Sequence, residues 1–210
     1  LQEQGPLSLP NSYHYAPALA DLTGNGQLDL IVGTWNGRIA GYENTSSADS
    51  ITFASEPFFT AELPSSGNAN PALFDITGDG RLDIVSGASD GRLYVLENTS
   101  TGGTVSFTAH EEHPAVAHVK RERRSAPAFA DLTGNGQPDL IVGSEAQGLV
   151  MYRSTGGDSA PAFASEPTPL PVDAPALVTP SVVTLEEGRP ALVIGTRSGG
   201  LQYYRINGTL

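Results

Sequence analysis

The chain repeats itself. Pro17, Pro71, Pro127 and Pro180 occupy matching contexts and are separated by 54, 56 and 53 residues. Ala16-Pro-Ala-Leu-Ala-Asp21 corresponds to Asn70-Pro-Ala-Leu-Phe-Asp75 and to Ala126-Pro-Ala-Phe-Ala-Asp131, with a fainter copy at Thr179-Pro-Ser-Val-Val-Thr-Leu185. A period of about 50 residues restricts the fold to a solenoid, a propeller or an array, because each unit must bury an apolar face against its neighbour.

Each copy reads as a meander of strands. The apolar run before Asp21, Asp75 or Asp131 predicts a first strand. Leu28-Asp-Leu-Ile-Val32, Leu82-Asp-Ile-Val85, Pro138-Asp-Leu-Ile-Val142 and Pro190-Ala-Leu-Val-Ile194 predict a second. It is apolar on both faces, as a strand between packed sheets must be. Trp35-Asn-Gly37, Ser89-Asp-Gly91 and Ser198-Gly-Gly200 carry hairpin chemistry and lead into a third strand at 38–43, 92–97, 149–153 and 201–205. A looser fourth strand falls within 51–63, 105–119 and 162–172. With 24 Gly and 16 Pro in 210 residues and no helical apolar stripe, the expected class is all-β. Blades of four antiparallel strands in four repeats imply a β-propeller. The repeats span about 15–64, 69–119, 125–172 and 178–206 in a single domain covering 1–210. The last repeat ends after its third strand, and the spare segment 4–10 resembles 60–64. The expectation is that this N-terminal strand completes the last blade and closes the ring, removing exposed sheet edges.

Between the first and second strands lies an acidic loop in three copies. They read Asp21-Leu-Thr-Gly-Asn-Gly-Gln-Leu-Asp29, Asp75-Ile-Thr-Gly-Asp-Gly-Arg-Leu-Asp83 and Asp131-Leu-Thr-Gly-Asn-Gly-Gln-Pro-Asp139. Oxygen-bearing side chains at loop positions 1, 3, 5 and 9 alternate with glycines at 4 and 6, which lets a tight loop aim successive oxygens at one centre. Hard cations take such cages, and an all-protein one suits Ca2+ better than Mg2+. The fourth copy, Thr184-Leu-Glu-Glu-Gly-Arg-Pro-Ala191, is shortened and lacks both terminal aspartates, so no metal is expected there.

These loops, the Gly-containing hairpin and segments such as Tyr42-Glu-Asn-Thr45 resemble the FG-GAP/VCBS repeat. That repeat is found in integrin α-subunit heads, a fungal lectin propeller and many bacterial surface and secreted proteins. The resemblance covers nearly the whole chain, strongly in three repeats. The family often has Asp or Asn at position 3, where this chain has Thr23, Thr77 and Thr133, weaker uncharged ligands. By position the ligands are Asp21, Thr23, Asn25, Asp29 and the Gln27 carbonyl; Asp75, Thr77, Asp79, Asp83 and the Arg81 carbonyl; and Asp131, Thr133, Asn135, Asp139 and the Gln137 carbonyl. Three Asp ligands in the second loop predict the tightest site there. Family rings commonly hold about seven blades; a closed four-bladed ring, half of a dimeric ring and part of a longer protein are all open, with the spare strand favouring the first. The resemblance places ligands on the face opposite the calcium loops. There Trp35, the single tryptophan, and Tyr13 and Tyr15 are candidates for stacking on a sugar or a protein.

A net charge of −12 disfavours nucleic acid and anionic membrane as partners, and three calcium ions would halve it. The chain has no cysteine, so disulfide scaffolds and thiolate metal sites are excluded. No apolar run approaches a membrane span and no signal peptide opens the chain, so an exported protein would be represented by its mature form or an excised domain. Calcium loops of extracellular modules bind at roughly 0.1 to 1 mM, which argues for an extracellular, cell-surface or periplasmic location. Lys120-Arg-Glu-Arg-Arg124 holds four of the eleven basic residues and reads as a solvated loop. His110-Glu-Glu-His113 with His118 lacks the spacing of a helical zinc site. No nucleophile elbow, phosphate loop or dinucleotide fingerprint occurs, so no catalytic residue is assigned. The functional expectation is a calcium-binding recognition or adhesion module for carbohydrate or extracellular protein, as monomer or homodimer. The alternatives are an accessory or catalytic propeller of a polysaccharide-active enzyme and a structural spacer.

Overall fold

The computed structural model describes residues 9, 12–47, 50–65, 67–172, 178–184, 190–196 and 199–205. It is an all-β propeller of four antiparallel blades arranged in a ring, with no helix among the described residues. Blade one comprises β1 (Tyr15–Ala20), β2 (Asp29–Thr34), β3 (Arg38–Tyr42) and β4 (Phe59–Glu62). Blade two comprises β5 (Asn70–Phe74), β6 (Asp83–Gly87), β7 (Leu93–Asn98) and β8 (Phe107–His110). Blade three has β9 (Ala126–Ala130), β10 (Asp139–Gly143), β11 (Leu149–Tyr152) and β12 (Thr168–Pro169). Blade four shows β13 (Thr179–Thr184), β14 (Pro190–Gly195) and β15 (Leu201–Arg205). In every blade the strands pair in sequence order. The expected closing strand 4–10, apart from Leu9, and most of the shortened fourth loop lie outside the described residues.

The outer strands are shorter than the sequence suggests. Before each one the chain folds into a small side hairpin, marked by bridges between Asn44 and Phe53, Thr101 and Thr104, and Ser154 and Phe163. The strand readings at 51–63 and 162–172 therefore begin inside these Ser/Thr/Gly-rich excursions, and the one at 105–119 runs past the end of its strand at His110 into turns.

Apolar character on both faces of the second strand has a direct structural use. In blade one, Ile31 and Ile39 face blade two and pack with Ile84, Tyr94 and Leu96. Val85, Leu93 and Val95 of blade two meet Leu140, Val142 and Val150 of blade three, and Phe74 stacks on Phe129 at 4.3 Å. Ile141, Leu149 and Met151 meet Leu192 and Ile194 of blade four. Because side chains alternate across a strand, each central strand serves two seams.

A glycine sets how closely the blades approach. A Cβ built on Gly33, Gly87 or Gly143 would lie 2.2, 2.0 and 2.0 Å from the carbonyl oxygens of Ala69, Ser125 and Val178, respectively, each just ahead of the next blade's inner strand. The same segments donate N–H groups backwards, Ala69 to the Thr34 carbonyl at 3.1 Å, Ser125 to Ala88 at 3.1 Å and Val178 to Ser144 at 3.2 Å. A side chain at the glycine forces the seam apart. Gly87→Ala is therefore expected to cost about 1–3 kcal/mol, the usual penalty of overpacking. For a domain of this size that lowers the melting temperature by several degrees, which thermal unfolding followed by circular dichroism will measure.

Candidate functional site

The three acidic loops fold alike, contact by contact. Asp21 turns its carboxylate back into its own loop, where Oδ1 accepts from the Gly24 and Asn25 N–H groups (2.7 and 3.2 Å) and Oδ2 from Gly26 (2.8 Å). Asn25 Oδ1 accepts from the Gln27 N–H at 2.8 Å. Asp75 and Asp131 repeat this with Gly78, Asp79 and Gly80 and with Gly134, Asn135 and Gly136. The turn demands left-handed backbone at loop positions 4 and 6, and Gly24 (φ 75°) and Gly26 (φ 83°) supply it without a Cβ clash.

The last aspartate of each loop is buried. Asp29 Oδ2 accepts from the Leu22 and Thr23 N–H groups, both at 3.0 Å, while Oδ1 accepts from Asn44 N–H at 3.0 Å. Asp83 does the same with Ile76, Thr77 and Asn98, and Asp139 with Leu132, Thr133 and Ser154. One carboxylate thus fastens the loop to the far end of the third strand. The sequence reading assigned these residues to metal alone and missed this fastening, since the partner lies 15 residues away in the chain. Burial pushes the Asp83 carboxyl above its ordinary value, against the downward pull of the Asn98, Thr77 and Ile76 hydrogen bonds.

Do these loops fit a hard cation? The donors are carboxylate, amide and hydroxyl oxygens, with no nitrogen or sulfur. Thr23 Oγ1 and Thr133 Oγ1 are buried without any hydrogen-bond partner. Buried hydroxyls ordinarily find one, so two equivalent orphans in equivalent loops are what an oxygen ligand looks like before its ion is drawn in. In the second loop Thr77 Oγ1 donates instead to Asp83 Oδ2 at 3.1 Å, and Arg81 pairs with Asp79. The extra carboxylate that predicted the tightest site is therefore already engaged. Among the described residues, no three His, Asp or Glu side chains form a metal cluster. His110 bonds Glu97 at 2.7 Å and lies edge-on to His113, whereas His118 bonds the Ala164 carbonyl at 3.1 Å in blade three. That histidine set is split between two blades.

On the opposite face, hairpins and inlets are laced together. Trp35 O accepts from Asn68 N–H (2.8 Å), Gly67 O from Ser89 N–H (3.0 Å), Ser89 O from Arg124 N–H (3.2 Å) and Arg123 O from Glu145 N–H (3.1 Å). Arg124 has φ 47°, a left-handed conformation costly for a side-chain-bearing residue. Its guanidinium lies 4.8 Å over the Trp35 ring and 3.6 Å from Glu145 Oε2. Arg121 is buried and donates to the Gln147 carbonyl at 3.1 Å. The basic run that read as a solvated loop is thus partly structural, a correction that follows from contacts with blades one and three. The Tyr15 hydroxyl oxygen accepts from the Ser12 N–H at 2.9 Å, and Ser12 Oγ accepts from the Trp35 N–H at 3.4 Å, so the Tyr15 and Trp35 segments are brought together. Tyr13 projects fully into solvent. Arg124 was missed because no local pattern announces a left-handed arginine. A cavity of about 680 Å³ runs between the inner strands, with His14 and Tyr15 at this end and Leu19, Leu73 and Phe129 towards the acidic loops.

Comparison with known proteins agrees with the repeat reading. The FG-GAP-like repeat matches residues 21–86 and 75–142. Human integrin alpha-7 is 30% identical over 160 residues, 70% of this chain, and Xenopus laevis integrin alpha-4 is 27% identical over 161 residues, 69% of it. The chain spans only 13% and 15% of those relatives' lengths. Among solved structures, an Agrocybe aegerita lectin described as recognising non-reducing terminal N-acetylglucosamine aligns with 93% of this chain and 50% of its own, at TM-score 0.49 and 20% identity. The acidic loops, the meanders and the matches in sequence agree: the chain belongs to the FG-GAP-like repeat family.

Proposed function

We propose that this propeller is a calcium-loaded recognition module working outside the cytoplasm, with its three acidic loops holding Ca2+ and the opposite face binding a carbohydrate or protein. The observation that carries the metal half is the pair of buried, unpartnered hydroxyls at Thr23 and Thr133. Asp21, Thr23, Asn25 and the Gln27 carbonyl would hold the ion in the first loop, with Asp75, Thr77, Asp79 and the Arg81 carbonyl, and Asp131, Thr133, Asn135 and the Gln137 carbonyl, in the others. Asp29, Asp83 and Asp139 sit at the base of the loop; Asp29 and Asp139 keep lone-pair capacity beyond their three hydrogen bonds, and Asp83, which accepts four, regains it if Thr77 turns its hydroxyl to the ion. When bound, the ion neutralises the carboxylates and pins the loop. Sites of this kind fill at the millimolar calcium found outside cells. The integrin relatives and the lectin likeness are the context in which carbohydrate or extracellular protein is read as the partner, and Trp35, Arg124, Tyr15 and Tyr13 are where it would touch.

Three measurements test this reading. A ligand that binds only the folded form adds roughly 1 kcal/mol per site at a few times Kd. Chelation by EDTA is then expected to lower the melting temperature by about 5–10 °C; an unchanged melt removes the metal. Asp21→Asn should remove the first loop's share of the calcium-dependent stability, with a smaller calcium-independent loss because the amide nitrogen cannot accept the Gly26 N–H. Asp29→Ala should cost at least about 1–3 kcal/mol with and without calcium, because it orphans one buried and two half-buried N–H groups.

The second loop offers a sharper check. Removing its arginine with Arg81→Ala releases Asp79 and is expected to tighten calcium binding there up to about fivefold, the scale of an exposed ion pair. Isothermal titration reads this directly, and weaker binding would contradict it. For the ligand face, a glycan array run in calcium and repeated with Trp35→Ala should lose its signal; signal retained in that variant moves the site elsewhere.

A further inference from the structure

One hairpin position in three successive blades converges on a single residue. Trp35, Ser89 and Glu145 each lie two residues past the glycine of their second strand, Gly33, Gly87 or Gly143. All three meet Arg124. Its guanidinium sits 4.8 Å over the Trp35 ring, its backbone N–H donates to the Ser89 carbonyl at 3.2 Å, and its Nε lies 3.6 Å from Glu145 Oε2.

A twin of Arg124 shows what the backbone alone requires. Asn68 stands three residues before Pro71, as Arg124 stands three before Pro127. Both hold left-handed backbone, at φ 53° and 47°, and both donate their N–H to the hairpin carbonyl of the preceding blade, Trp35 and Ser89 respectively. The inlet to a blade therefore demands this conformation at this place. Asparagine visits it readily, whereas arginine adopts it under strain. What arginine adds is a side chain that leaves the inlet and reaches the hairpins of blades one and three.

The indole under that guanidinium is not part of the core. Among the described residues, the apolar clusters that fill the seams leave Trp35 out, and it is 44% exposed with the arginine over one face. Its surroundings are polar: Ser12 Oγ, the Glu145 carboxylate, and the exposed guanidinium of Arg123, 3.9 Å from that carboxylate. A protein hot spot seats its aromatic among contacts that exclude water. A sugar ring fits better here, because its C–H face can lie on an indole while its hydroxyls donate to a carboxylate and accept from a guanidinium. We infer that the hairpin face takes a saccharide, one ring of which lies on the open side of Trp35, and that Arg124 is a positioning residue that fixes the indole for it. This rests on placing the ligand at the hairpin face and narrows its class to carbohydrate. The strain at Arg124 then has a use, since an aromatic that is already held loses little rotamer freedom when the sugar arrives.

Trp35 is the single tryptophan, so selectively excited fluorescence reports on this ring alone. Arg124→Asn installs the residue of the twin. It relieves the strain and gives up an exposed ion pair and a cation–π contact, effects of similar size. The melting temperature should therefore stay within about 2 °C of wild type. Quenching of Trp35 by acrylamide should rise, because the ring has lost its cover. Binding to the strongest glycan on an array, titrated in solution, should weaken about threefold to tenfold, the cost of ordering one freed side chain. A melt lowered by more than about 5 °C would show that the fold requires the arginine and would overturn the positioning role, as would unchanged quenching. An array without signal overturns the saccharide. Signal abolished by Trp35→Ala but untouched by Arg124→Asn keeps the ligand at the hairpin face and overturns the positioning role. Signal that survives Trp35→Ala overturns both.

Discussion

The fit of a carbonyl into the space over a glycine is the contact on which the other features of this propeller depend. It brings the inner strand of one blade close enough for its inlet N–H to reach the preceding blade at about 3 Å, and it brings two apolar sheet faces into packing distance. Side-chain identity within the seams varies, from isoleucines against Tyr94 to a Phe74–Phe129 stack. The backbone contact does not vary. Volume-conserving exchange of apolar residues is well tolerated in cores, whereas backbone-to-backbone approach leaves no room for adjustment.

Much of this was legible in the sequence because it is local and repeated. Short apolar runs between hairpin turns gave the strands, the Asp-x-Thr-Gly-x-Gly spacing gave the loop, and the interval between prolines gave the blade number. What the sequence concealed are contacts whose partners lie far along the chain. The fastening of Asp29 to Asn44, the docking of Arg124 over Trp35 and the reach of Ala69 to Thr34 join residues whose spacing carries no pattern. The outer strands were over-read for a related reason. The first residues of 51–63 have strand-like composition, but Phe53 pairs with Asn44 in a local hairpin and the sheet strand begins only at Phe59.

The two faces divide the work along this line. On the acidic-loop side each of the first three blades is fastened within itself, the loop tied by one buried carboxylate to its own third strand. On the hairpin side the fastening runs between blades, through Asn68, Ser89, Arg124 and Glu145 in succession. A cation bound at an acidic loop therefore stiffens one blade, while a ligand bound at the hairpin face touches groups held by several. The left-handed backbone of Arg124 is affordable there because hydrogen bonds and an ion pair on both sides over-determine it.

Blade four shows what happens when the acidic loop is dispensed with. Register places Ala191 opposite Val183, where Ala20 faces Asp29, Phe74 faces Asp83 and Ala130 faces Asp139. Ala191 is as fully buried as those three aspartates. A carboxylate there would need three N–H donors, two of them supplied by the turn of a full-length loop, and the fourth loop is shortened. Without those donors a buried charge costs several kcal/mol, so a methyl group is the residue the site can hold. A shortened loop and an alanine in place of the aspartate therefore go together.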